Sequence, residues 1–116
     1  MSYVIPPKDA PQKRSYPHGD YTHFVVRAVP MMTHVSVKPG EKTDMHKHDK
    51  EVQTYYVLEG EGFIVIDGDK YLIQEGDAAV IPPNKDHHME NPGSGPLRFL
   101  MQYLLEGDAG SPVYKK

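Results

Sequence analysis

The sequence contains no cysteine and no tryptophan, and only three phenylalanines. Without cysteine there can be neither a disulfide framework nor a thiolate metal site. Any transition metal would have to be held by histidine, carboxylate or amide oxygen. No apolar run is long enough to span a bilayer as a helix. The start, Met1-Ser2-Tyr3-Val4-Ile5-Pro6-Pro7, has no charged n-region and no long apolar h-region, so no secretory signal is expected. The formal net charge is -3, with the two signs interspersed. That leaves no basic stripe of the kind nucleic acid requires and no polybasic segment for a membrane surface. The expectation is a cytoplasmic protein with neither nucleic acid nor membrane as partner. Glycine-rich phosphate loops are missing, and so is a Gly-x-Ser-x-Gly elbow, which leaves a hydrolase triad without support.

What the chain does have is proline and glycine, 11 and 10 in 116 residues. The length suits one domain. The composition suits short strands joined by tight turns rather than a helical bundle. The alternating stretches predict strands at 23–29, 32–37, 54–58, 63–66, 70–73, 78–81, 87–90 and 97–105. Asp67-Gly68 is a strong hairpin signal, because glycine tolerates the positive φ of a type I′ turn. Pro6, Pro7, Pro11 and Pro17 break up the first stretch. The expected division is an irregular arm over 1–21, a β domain over 22–106 and a polar tail over 107–116.

Chemistry concentrates in histidines. His46-Lys47-His48 places two imidazoles on one face if the segment is extended. Such convergence is what a divalent ion needs, and neutral imidazole suits Zn, Fe, Ni, Cu and Mn. The surroundings of this pair are regular. His46 follows Gly40 after five residues, Gln53 follows His48 after four, and Gly60 follows Gln53 after six. Further on, Gly76 is followed after five residues by Pro82-Pro83-Asn84, then after two by His87 and after three more by Asn91.

This double pattern resembles the cupin superfamily, over roughly Met32 to Leu104. The resemblance implies an all-β fold, the double-stranded β-helix or jelly-roll barrel of small single-domain, RmlC-like cupins. It also implies one divalent metal ion per chain, Zn, Ni, Mn or Fe, held by His46, His48 and His87. The motif register makes Gln53 the expected fourth ligand, with Glu51 or water as the alternatives. Two positions depart from the family pattern. Asn84 stands where glycine is usual, a mild change because Asn tolerates left-handed φ. Gln53 stands where glutamate is usual, and a neutral amide leaves the dication's charge uncompensated, which favours an anionic ligand.

If Gln53 points into the barrel, Tyr55 does too, and it is the expected hydrogen-bond donor to a bound small molecule. Met89 and Asn91 follow His87 inward, Met89 as packing. The last strand has two faces, and Gln102 on one or Tyr103 on the other is the expected further pocket residue. His88 is expected to face away as a surface histidine, and His34 to be structural. The ligand set His46, His48, Gln53 and His87 looks like that of the small uronate-processing cupins, although their C-terminal Asp and Arg have no clear match. The expected function is a metalloenzyme using its metal as Lewis acid on a small anionic or sugar-acid-like substrate, of isomerase or lyase type. A metal-dependent dioxygenase and a non-enzymatic small-molecule-binding module are the alternatives. Exposed strand edges and the Tyr3-Val4-Ile5 arm point to a homodimer.

Overall fold

A computed structural model describes Val4, Pro6 and residues 14–18, 21–29, 32–43 and 51–105. Nine strands run through these residues: β1 (Arg14–His18), β2 (Tyr21–Val29), β3 (Met32–Val37), β4 (Glu51–Glu59), β5 (Glu61–Ile66), β6 (Asp69–Gln74), β7 (Ala78–Ile81), β8 (His87–Glu90) and β9 (Leu97–Leu105). They form two antiparallel sheets, one ordered β1-β2-β3-β9-β4-β7 and the other β6-β5-β8. This is the expected jelly-roll barrel. No described residue is helical, and no helix is long and apolar enough to cross a membrane.

Alternation decides which side chains meet between the sheets. Val35 and Val37 of β3, Tyr55 and Val57 of β4, and Leu97 and Phe99 of β9 are buried, and with Ile64, Ile73, Ile81 and Met89 they form one core cluster. In β9 the intervening Arg98 and Gln102 are exposed, so Leu97, Phe99, Met101 and Tyr103 make up the inner face.

Three turns carry the backbone geometry. Asp67 (φ 51°) and Gly68 (φ 85°) close the two-residue turn between Ile66 and Asp69, as a type I′ hairpin requires. Gly60 (φ 86°) takes the chain from β4 in one sheet to β5 in the other, and a Cβ there would run into the Pro96 carbonyl. Asn84 has φ 68°, the left-handed conformation expected of a residue that replaces glycine.

The strands depart furthest from the sequence expectation at two places. Arg14–His18, within the expected irregular arm, is β1, paired with β2 from Arg14↔Val25 to His18↔Tyr21. Pro17 fits there because β1 is an edge strand, where a missing N–H need break no ladder bond. β4 starts at Glu51, three residues before the expected Thr54. Glu-Val-Gln has weak strand propensity, but its pairing with Leu105, Leu104 and Tyr103 of β9 supplies what propensity does not.

Candidate metal centre

β4 and β8 deliver the two described members of the expected ligand set. Gln53 lies on the inner face of β4, between Ile81 of β7 and Tyr103 of β9. His87 opens β8 opposite Ile66. Both side chains are 2% exposed. The two strands belong to different sheets, yet Gln53 Oε1 and His87 Nε2 meet in direct contact. His46 and His48 lie outside the described residues, as does the Glu51 side chain. The described residues flanking 44–50 are anchored beside the pair. Thr43 N donates to the Met89 carbonyl at 2.8 Å, and Thr43 Oγ1 accepts from Met89 N at 2.9 Å. On the other side β4 begins two residues before Gln53.

The chemistry of the contact follows from its partners. His87 Nδ1 lies 2.8 Å from the Lys85 carbonyl. A carbonyl can only accept, so Nδ1 carries a proton, and Nε2 is the ring nitrogen turned toward Gln53. Gln53 Oε1 is an acceptor as well. An amide oxygen and an imidazole nitrogen are both donor atoms that a divalent transition metal accepts as ligands. A histidine whose far nitrogen is tied to a backbone carbonyl is also how proteins orient metal-binding imidazoles. The pair therefore fits a divalent cation by donor chemistry.

Gln53 is held from two further sides. Its Nε2 donates to Met101 Sδ at 3.6 Å, and its Oε1 accepts from the Tyr55 hydroxyl at 3.4 Å. Tyr55 is itself locked. Its ring stacks on Phe99, with centroids 5.2 Å apart and planes 7° from parallel, and meets His87 edge-on at 6.1 Å. Burial pushes the Tyr55 phenol well above its ordinary value, so it stays a donor.

The other expected pocket residues divide. Tyr103 is half-buried and directly opposite Gln53 on the same face. Gln102 pairs with Thr54 and is exposed on the outer face, away from Gln53 and His87. Met89 is fully buried packing. Asn91 Nδ2 donates to the carbonyls of Val37 and Gly95, both at 2.8 Å, and its Oδ1 accepts from Gly93 N at 3.1 Å, so it ties the end of β8 to β3 and to the 91–95 loop. His34 of β3 pairs with Leu100 of β9 and lies on the face opposite Val35 and Val37.

His88 corrects an expectation. It faces away from His87, but it is not a surface residue: it is 5% exposed, and its Nε2 lies 2.8 Å from Glu90 Oε2. Glu90 also pairs with Lys70 Nζ at 3.0 Å. At His88 and its cross-strand partner Val65, each 5% exposed, the outer face of the smaller sheet is buried where single-strand alternation predicts solvent.

Met101 was not among the expected site residues. Its parity with Tyr103 along β9 was the available signal. The Lys85 carbonyl left no signal in side-chain identity, because any residue supplies one.

The chain resembles known proteins in sequence and fold. It is 42% identical over 64 residues to the uncharacterized protein MJ1618 of Methanocaldococcus jannaschii, covering 55% of this chain and 51% of that one. It is 32% identical over 75 residues to the oxalate-binding protein of Thermotoga maritima, covering 65% of this chain and 62% of that one. These matches span less than two thirds of either relative. The crystal structure of a predicted oxalate decarboxylase from Thermotoga maritima superposes with a TM-score of 0.75 at 22% identity, over 88% of this chain and 98% of that one. At that identity the likeness is one of fold. The model of the Cupin_2 family, the cupin domain, matches residues 33–103, more than half of the chain, and the protein is therefore a member of the cupin family.

Proposed function

We propose that this cupin holds one divalent metal ion through His46, His48, Gln53 and His87, and acts there on a small anionic, carboxylate-bearing molecule as an isomerase or lyase. The observation that carries the reading is the buried meeting of Gln53 Oε1 with His87 Nε2, brought together from two different sheets. Thr43 and Gln53, anchored on either side of the His46-Lys47-His48 stretch, support the same assignment. When bound, a divalent ion supplies Lewis acidity for polarising a carbonyl or stabilising an enolate. All four proposed ligands are neutral, so this ligand set leaves the ion's charge uncompensated, and an anion is the natural complement. The name of the oxalate-binding relative supports a small carboxylate as ligand.

Binding without turnover is a second reading, favoured by a specific observation. The inner face presents Gln53, Tyr55 and Val57 from β4, His87 and Met89 from β8, and Phe99, Met101 and Tyr103 from β9. None of these is a carboxylate or a lysine, and the Tyr55 hydroxyl already serves Gln53. We further propose a homodimer, supported by the exposed apolar residues Tyr56, Leu58, Tyr71 and Leu72; sedimentation measures it.

The deciding experiment is elemental analysis of untagged protein, alongside His46→Ala and His87→Ala, followed by calorimetric titration with oxalate and with a sugar acid. Near-stoichiometric metal that both variants lose is the expected result. Wild-type protein that is folded, metal-free and takes up no metal on titration overturns the reading. Ligand binding without product moves the function to the second reading.

A further inference from the structure

We propose that Asp67 is a positioning residue for the candidate metal centre: from the tip of the β5–β6 hairpin it grips Lys85 and Asp86, and so fixes the Lys85 carbonyl that orients the His87 imidazole. The inference rests on the reading of His87 as a metal ligand, and it concerns what holds that ring in place.

The ladder between β5 and β8 ends on the pair Ile66↔His87. One residue further, Asp67 N donates to the Asp86 carbonyl at 2.8 Å and adds a last rung. Asp67 has a second hold on the same segment, because its Oδ2 lies 3.1 Å from Lys85 Nζ. Residues 82–86 belong to no strand, so Lys85 has no ladder of its own to fix it. The peptide between Lys85 and Asp86 is instead held from both sides, by the Lys85 side chain and by the Asp86 carbonyl. Its oxygen lies 2.8 Å from His87 Nδ1. An imidazole turns about its side-chain bonds, and a carbonyl on the nitrogen away from the metal is how proteins stop that turn. The local sequence makes the grip possible. Asp67 takes φ 51° in the two-residue turn, a conformation that Asp, Asn and Gly tolerate. Turn geometry alone would be served by any of the three; the charge is what Lys85 answers. The two side chains of this ion pair are 47% and 49% exposed, so the pair is worth little as stability and its effect on the site is modest in proportion. The Arg98–Glu59 pair offers a comparison. It is equally exposed, at 48% and 51%, but it lies at the far end of β4 from Gln53.

Asp67→Asn removes the charge and keeps both the turn and the backbone N–H, and Lys85→Gln removes the partner charge at similar length. Zinc titration should give a Kd about two- to fivefold weaker in each. The double variant should lose no more than either single one, because both break the same contact. Glu59→Gln, which breaks the comparison pair, should leave zinc binding unchanged. A second measurement needs no metal. In isotope-labelled, metal-free protein, magnetic resonance reads the exchange of the His87 Nδ1 proton with water. That exchange should be about two- to fivefold faster in Asp67→Asn and Lys85→Gln than in wild type, and unaltered in Glu59→Gln. Variants at 67 and 85 that bind zinc as tightly as wild type overturn the proposal. So do losses that add in the double variant, or that appear equally in Glu59→Gln. If the wild type takes up no zinc while the proton exchange still follows the Asp67–Lys85 pair, the grip stands and the metal reading falls. If the exchange ignores the pair, the proposal falls whatever zinc does.

Discussion

Gln53 Oε1 and His87 Nε2 meet across the barrel from two different sheets, each with its other polar end already committed. The amide nitrogen is given to Met101 and the imidazole Nδ1–H to the Lys85 carbonyl. Both groups are thus oriented from behind, with the amide oxygen and the imidazole Nε2 turned toward each other. A neutral pair is a different electrostatic device from a histidine and a carboxylate.

Gln53→Glu tests that difference directly. A carboxylate is a stronger ligand for a dication than an amide and cancels one of its charges. The variant should bind zinc or manganese more tightly, by about tenfold or more, and should bind oxalate more weakly. Calorimetry of the metal first and the anion second measures both. Stronger metal binding with unchanged anion affinity would remove the electrostatic argument for the glutamine.

Asn91→Ala removes the amide that joins β8 to the end of β3 and to the loop before β9. Three hydrogen bonds are lost, and the carbonyl of Val37 is left buried without this donor. At about 1 kcal/mol per bond, more where a partner stays unsatisfied, the loss should be about 3 kcal/mol in urea unfolding. Metal affinity should fall as well, because β8 carries His87.

Two turns respond to substitution by different amounts. Gly60→Ala places a Cβ at φ 86° and against the Pro96 carbonyl, and should cost about 2–4 kcal/mol. Asn84→Gly should be close to neutral, because φ 68° is open to both residues. Asn84→Ala should cost about 1 kcal/mol, the left-handed penalty of an ordinary side chain. Thermal melting of the three variants gives the comparison.

Glu90 makes stability depend on acid. Burial alone would raise its carboxyl, but the hydrogen bonds from His88 and Lys70 outweigh that and hold it below the ordinary value. A carboxyl whose folded-state pKa is lowered contributes stability above its unfolded pKa, and the contribution disappears as pH falls through the folded value. Glu90→Gln should therefore destabilise the protein at neutral pH by about 1 kcal/mol, a modest figure because Lys70 is well exposed. The difference from wild type should shrink as pH falls below the ordinary glutamate range and vanish once pH is below the lowered folded-state value. A constant difference across that range would assign the loss to packing instead.

The fold was legible because jelly-roll turns need particular residues. Asp67-Gly68, Gly60 and Asn84 announce positive φ in the sequence, and each adopts it. The spacing of Gln53 and His87 from those turns was legible for the same reason: a strand of given length from a given turn puts a known side chain inward. What the sequence could not decide was anything that depended on a second strand. The inner face of β9 was open between Gln102 and Tyr103 until pairing with β4 put Tyr103 opposite Gln53. His88 looked like a surface residue because alternation reports which side of its own sheet a residue faces, not whether that side is covered. Tyr55 was identified as inward-pointing, but its hydroxyl goes to Gln53 because the two residues sit two apart on one face of one strand. Local rules set direction along a strand. Neighbours, and with them the orientation of an amide or the protonated nitrogen of an imidazole, are set by which backbones the tertiary fold brings alongside.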